Sequence, residues 1–66
     1  MLKTATPATA AQIKRAIETM GVQEAARRLG LIPETTLRLA YGVTVRAGSL
    51  VLAEQNLHRL AGGLAR

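Results

Sequence analysis

The side chains of this sequence that could do chemistry are mostly cations. Its 66 residues include nine lysines and arginines, four acidic residues, one histidine and no cysteine, which gives a formal net charge of +5. A positive balance of this size favours a polyanionic partner, namely DNA, RNA or an anionic membrane surface. Without cysteine the chain can form neither disulfides nor thiolate metal sites.

Catalytic arrangements are missing from the residue pattern. Ser49 and His58 could form a nucleophile and base pair, but no third group is spaced to orient them. Glu54, four residues before His58, could interact with it electrostatically. The sequence has no phosphate-binding loop and no set of metal ligands. We therefore expect neither an enzyme nor a protein that holds a metal or other cofactor.

Apolar residues recur at helical spacing in four segments, so we expect one all-α domain, a compact bundle of four short helices. The first helix is predicted to have its N-cap at Thr9, followed three residues later by Gln12 as in a capping box, and to stop at Gly21. The other predicted bounds are Val22–Leu29 for the second helix, Pro33 to a stop at Gly42 for the third, and a start between Arg46 and Ser49 for the fourth. Residues 1–8 are expected to form a flexible N-terminal arm and residues 9–66 the folded domain. The strand-like triplet VTV is too short to change this prediction.

The stretch Glu24–Gly42, EAARRLGLIPETTLRLAYG, has the spacing of a helix-turn-helix. Ala26 supplies the small side chain that a close helix crossing needs, and Gly30 supplies the sharp turn. The third helix is predicted to turn Thr36, Leu37 and Ala40 inward. This geometry projects the third helix outward, where it can enter the major groove of DNA.

The outer side of the third helix carries the side chains expected to contact bases. Arg38 can donate two hydrogen bonds to guanine, Thr35 can contact a base edge or a thymine methyl group, and Glu34 can accept from cytosine. The residues expected at phosphates are Gln23, Arg27, Arg28, Tyr41 and Arg46. The alternative is that these side chains form an ordinary solvated surface.

Beyond the spacing, the residues themselves resemble a known family. The segments AARRLGL, PETTLRLAYG and VTVRAGSL, within residues 12–61, are similar to the lambda-repressor-like helix-turn-helix regulators of phages and plasmids. The resemblance implies a sequence-specific DNA-binding transcriptional regulator, a repressor that binds a palindromic operator as a dimer. Ile32 and Thr36 depart from that pattern, which usually has Ser or Thr at the first position and an aliphatic residue at the second. Residues 17–37, IETMGVQEAARRLGLIPETTL, also look like the DNA-binding end of bacterial enhancer-binding and inversion-stimulating factors. Those domains end soon after the recognition helix, whereas this chain continues through a further helical segment.

The fourth helix carries more apolar residues than one core stripe needs, which indicates a surface for a second copy. We expect Val51, Leu52 and Leu64 to form this homodimer interface. The competing hypothesis is a small helical adaptor or antitoxin-like protein that binds a protein partner through the same helix. No segment resembles a signal peptide or a membrane span, and the cations are spread over several short helices, so we expect a cytoplasmic protein without a membrane partner.

Overall fold

Residues 1–64, the part of the chain whose backbone the computed structural model describes, form four α-helices and one pair of two-residue strands. Side chains are described for residues 1–60. In chain order the elements are β1 (Leu2–Lys3), α1 (Pro7–Met20), α2 (Val22–Leu29), α3 (Pro33–Ala40), β2 (Val45–Arg46) and α4 (Ala47–Leu64). The predicted all-α fold of four helices is confirmed, with a small strand pair added to it.

Helix α1 begins earlier than the sequence pattern predicted. The side chain of Thr6 accepts a hydrogen bond from the backbone N–H of Thr9 at 3.2 Å, and Pro7 occupies the first turn. Threonine followed by proline starts a helix well, because the hydroxyl caps a free N–H and proline has no N–H to satisfy. The N-cap is therefore Thr6, and the prediction of Thr9 at this position is wrong.

The first residues pack against the domain, in contrast to the flexible arm predicted for residues 1–8. Strand β1 pairs antiparallel with β2, with Leu2 opposite Arg46. Ala5 is only 9% exposed and belongs to the hydrophobic core. The connector that contains VTV makes this possible, because its extended backbone offers hydrogen-bonding groups to a second strand. The predicted boundary at residue 8 is corrected accordingly, since α1 already starts at Pro7.

The core lies between the four helices and consists of aliphatic side chains and alanines. Ile13 of α1 is fully buried, as its helical spacing predicted, and Ile17 packs against the same cluster. Small residues let the short helices approach closely, which suits a chain of this length. Besides Ile13, the buried members of the cluster are Ala5, Leu29, Leu39, Ala40, Val45, Leu50, Ala53 and Leu57. Among the residues described, none of the helices combines the length and the apolar character needed to cross a bilayer.

Candidate nucleic-acid interface

The turn between α2 and α3 is made by a glycine in the left-handed conformation. Gly30 has φ 74° and ψ 26°, which other residues adopt only at a cost in free energy. The backbone N–H of Leu31 donates to the carbonyl oxygen of Ala26 at 2.9 Å, which closes the last turn of α2. The predicted stop at Gly30 is confirmed, and α3 follows after two linking residues.

Helix α4 holds this turn from the other side. The amide Nδ2 of Asn56 donates a hydrogen bond of 2.8 Å to the carbonyl oxygen of Leu29, 27 residues earlier in the chain. A Cβ atom at Gly30 would lie 3.2 Å from Cδ2 of Leu52 and 3.3 Å from Nδ2 of Asn56. Glycine is thus favoured here by its φ angle, and the side chains of α4 pack closely against it. Sequence reasoning missed Asn56, because no local pattern reports a contact over this separation.

Two residues at the start of α3 depart from the repressor-like pattern, and the structure accounts for Thr36. Ile32 is the N-cap and provides no side-chain hydrogen bond, while Pro33 occupies the first turn. Thr36 is completely buried, and its hydroxyl donates to the carbonyl oxygen of Ile32 at 3.1 Å. The polar group at this core position is therefore satisfied within the helix, and the threonine can replace an aliphatic residue without a stranded donor.

The exposed side of α3 forms a single row, which we call the α3 outer stripe. It consists of Glu34, Leu37, Arg38 and Tyr41, at the spacing i, i+3, i+4 and i+7 that places residues on one helix face. Thr35 lies half-buried at its edge. The stripe combines an acidic, an aliphatic, a basic and an aromatic side chain.

One of these residues was predicted to face inward. Leu37 is 37% exposed, whereas Leu39 is completely buried together with Thr36 and Ala40. Residues two positions apart on a helix point about 200° apart, so Leu37 and Leu39 cannot both face the core. The inward prediction for Leu37 is wrong, because the buried face of α3 follows Thr36, Leu39 and Ala40 and its register is set by the neighbouring helices.

Arginine–glutamate pairs occupy the outer sides of both α2 and α3. In α3, Nη2 of Arg38 lies 2.8 Å from Oε1 of Glu34. In α2, Nε of Arg28 lies 2.8 Å from Glu24, and Nε of Arg27 lies 3.5 Å from the other oxygen of the same carboxylate. The hydrogen bond from Arg28 is the main reason that the pKa of Glu24 is lowered, and the charge of Arg27 adds to it. We call Gln23, Glu24, Arg27 and Arg28 the α2 outer face.

A lysine that was not among the predicted site residues contacts the C-cap residue of α3. The ammonium group of Lys14 in α1 lies 5.2 Å from the centre of the Tyr41 ring, within the range of a cation–π contact. Tyr41 itself is 63% exposed. This contact places the cation of Lys14 beside the α3 outer stripe. The spacing of residues within α1 did not assign Lys14 to the site. Arg46, also predicted at phosphates, is exposed on β2.

Neither protein-family models, nor curated proteins, nor solved structures match this chain. Any function must therefore be inferred from the chemistry of its own surfaces. The α3 outer stripe and the α2 outer face carry charged and hydrogen-bonding groups on adjacent helices.

Two of the three predicted dimer residues have described side chains, and both are partly exposed on α4. Val51 is 51% exposed and Leu52 is 39% exposed, so both can contribute to a surface of α4. Leu52 also contacts the turn at Gly30, which gives it a role within the monomer. The side chain of Leu64 lies outside the described residues.

A groove of about 260 Å³ runs between α1 and α4. Its lining is largely apolar and includes Ala16, Met20, Leu57 and Leu60, with Arg15 at the same site. This groove is a surface that could suit a protein partner.

Proposed function

We propose that this chain is a sequence-specific DNA-binding protein of the helix-turn-helix type, a transcriptional repressor that places α3 in the major groove. The observation that carries the proposal is the α3 outer stripe, a mixed polar and apolar row on the helix that follows the Gly30 turn. Recognition helices read bases with this kind of surface, because base edges in the major groove present donors, acceptors and methyl groups. A net charge of +5 supports a polyanionic partner.

Base reading is assigned to three residues of α3. Arg38 donates to O6 and N7 of guanine, Glu34 accepts from N4 of cytosine, and Thr35 contacts a base edge from the margin of the stripe. The Arg38–Glu34 pair is compatible with these roles, because the pair engages only Nη2 of a guanidinium that has five N–H donors.

Phosphate contacts are assigned to the surrounding polar residues. Gln23 is exposed at the start of α2, where the first helix of such a pair crosses the DNA backbone. The other assigned residues are Arg27, Arg28, Tyr41 and Arg46, to which the cation–π contact adds Lys14. These contacts would fix the register of the protein on the duplex without selecting its sequence.

A homodimer on a palindromic operator is part of the proposal. One eight-residue recognition helix contacts few bases, and a two-fold dimer doubles that number. The exposed side chains of Val51 and Leu52 on α4 support a second copy as the partner, and sedimentation equilibrium with Val51→Asp tests it. The expected result is a dimer that becomes monomeric in the variant, whereas a monomer at all concentrations would remove the dimer from the proposal.

Selection of bound duplexes from a random pool tests the base-reading assignment. We expect the wild-type protein to enrich a palindromic site and Arg38→Ala to lose its preference at one base pair in each half-site. Arg28→Ala is the matched control, because it removes an arginine from the same kind of pair on α2. It should weaken binding to every duplex and keep the preference. An unchanged preference in Arg38→Ala would contradict the assignment.

Salt dependence distinguishes DNA binding from the second candidate function, a protein-binding adaptor. The groove between α1 and α4, with Met20 and Leu57 in its lining, is the observation that favours the adaptor. Binding to random duplexes through phosphates should weaken with a log–log slope of about −0.9 per contact. Absence of salt-sensitive binding to any duplex would favour the adaptor and contradict the proposal.

A further inference from the structure

The α3 outer stripe has an aliphatic side chain at its centre that the core does not need. Leu37 is 37% exposed, with Glu34 one turn before it, Tyr41 one turn after it and Arg38 beside it. The buried face of α3 is already filled by other residues, of which Leu39 is completely buried. The side chain of Leu37 is therefore accessible to a partner outside the monomer.

The surroundings of Leu37 fit a small apolar group better than a protein surface. Protein-binding patches usually extend over several hundred Å² of contiguous apolar surface. Here one leucine is flanked by an ion pair on one side, in which Arg38 and Glu34 lie 2.8 Å apart, and by the tyrosine on the other. A partner of matching chemistry would offer one apolar group with hydrogen-bonding groups directly next to it.

The major groove of DNA offers this combination. The 5-methyl group of thymine is an apolar group at a base edge, and adjacent base pairs present donors and acceptors. We propose that Leu37 contacts the 5-methyl group of a thymine in the base pair next to the guanine that Arg38 contacts. This inference rests on the proposed function, and it deepens that function by naming one base and the residue that selects it.

Replacement of thymine by uracil tests the inference, because it removes only the methyl group. In the site selected by the wild-type protein, each thymine is replaced in turn and the affinity is measured by fluorescence anisotropy. The wild-type protein should lose about fourfold in affinity at one position per half-site, the equivalent of one buried methyl group. Leu37→Ala should bind the thymine and uracil duplexes equally at that position, and Leu37→Met should keep most of the difference.

Leu2→Ala is the matched control, because Leu2 is another exposed aliphatic residue but lies on β1, away from α3 and from the proposed dimer surface of α4. It should keep the full thymine preference. The inference is overturned if the wild-type protein shows no loss at any position, or if Leu37→Ala keeps the same thymine preference while circular dichroism shows it folded. Failure of the wild-type protein to bind any duplex would instead overturn the proposed function itself.

Discussion

Helices α2 and α3 have the same length and the same kind of ion pair, but the chemistry of their outer sides differs. Each has eight residues, and each carries a glutamate in its first turn that meets an arginine four residues later at 2.8 Å. The α2 outer face is polar throughout, whereas the α3 outer stripe adds Leu37 and Tyr41. Charge alone therefore does not separate the two helices. Under the proposed function, the mixed chemistry of α3 is the part that meets base edges and the polar chemistry of α2 is the part that meets phosphates.

The ends of the two helices differ as well. Each of the two helices is followed by a glycine of positive φ, Gly30 after α2 and Gly42 after α3. A Cβ atom at Gly30 would meet two side chains of α4, whereas one at Gly42 would meet nothing within 4 Å. The turn that leads into α3 is thus held by packing, and the exit from α3 is open.

The largest effect is expected from alanine at these two glycines. Both variants place a Cβ atom at a positive φ, which costs about 1–2 kcal/mol. Gly30→Ala also crowds Leu52 and Asn56, so we expect a total loss of about 3 kcal/mol in the free energy of unfolding. Urea denaturation followed by circular dichroism measures both values. Equal losses in Gly30→Ala and Gly42→Ala would show that α4 does not constrain the first turn.

A smaller loss of stability is expected when the hydrogen bond between α4 and the turn is removed. Asn56→Ala removes the hydrogen bond to the Leu29 carbonyl and should lower the free energy of unfolding by about 1–2 kcal/mol. Gln55→Ala serves as the control, since Gln55 is an exposed neighbour on the same helix. If the two variants unfolded at the same urea concentration, the hydrogen bond from Asn56 to the Leu29 carbonyl would contribute nothing to stability.

The paired glutamates should respond differently to the same substitution when DNA binding is measured. Glu24→Gln frees Arg27 and Arg28 for phosphates, so affinity should rise for every duplex and the salt slope should steepen by about one. Glu34→Gln should change base preference more than the slope. The measurement is anisotropy on selected and random duplexes at several salt concentrations. Identical responses of the two variants would remove the functional distinction between α2 and α3.

The smallest effect concerns pH. The pKa of Glu24 is lowered by its hydrogen bond from Arg28. A carboxyl whose pKa is lower in the folded protein stabilises the fold fully above its unfolded pKa, about 4.3, and this contribution disappears as the pH falls through the lowered value. Acid should therefore reduce the stability of the wild-type protein slightly more than that of Glu24→Gln, which lacks the titrating group. Melting curves at neutral and acidic pH provide the check, and parallel acid profiles would contradict it.

Much of the helical framework could be predicted from local signals. Gly30 and Pro33 mark the end of α2 and the start of α3, because glycine adopts the left-handed conformation and proline suits a first turn. The start of α4 at Ala47 falls within the predicted range. The cap at Thr6 escaped prediction because two threonines near the same proline offered similar signals.

The parts that escaped prediction depend on contacts between distant segments. The choice between Leu37 and Leu39 as the buried leucine depends on the helices packed against α3, since an eight-residue helix gives little periodicity to decide it. Asn56 at the turn, Lys14 over Tyr41 and the pairing of β1 with β2 join residues far apart in sequence. Local spacing cannot report such contacts. Of the candidate site, the residue types of the α3 outer stripe could be predicted, but not its full membership.

Mapping of backbone amide chemical shifts during titration with the selected duplex tests the central claim most directly. We predict the largest changes over residues 34–41, which cover α3 and its C-cap, and in the α2 outer face, at Gln23, Arg27 and Arg28. Changes concentrated at Met20 and Leu57, in the groove between α1 and α4, with α3 unaffected, would contradict the claim that α3 faces the DNA.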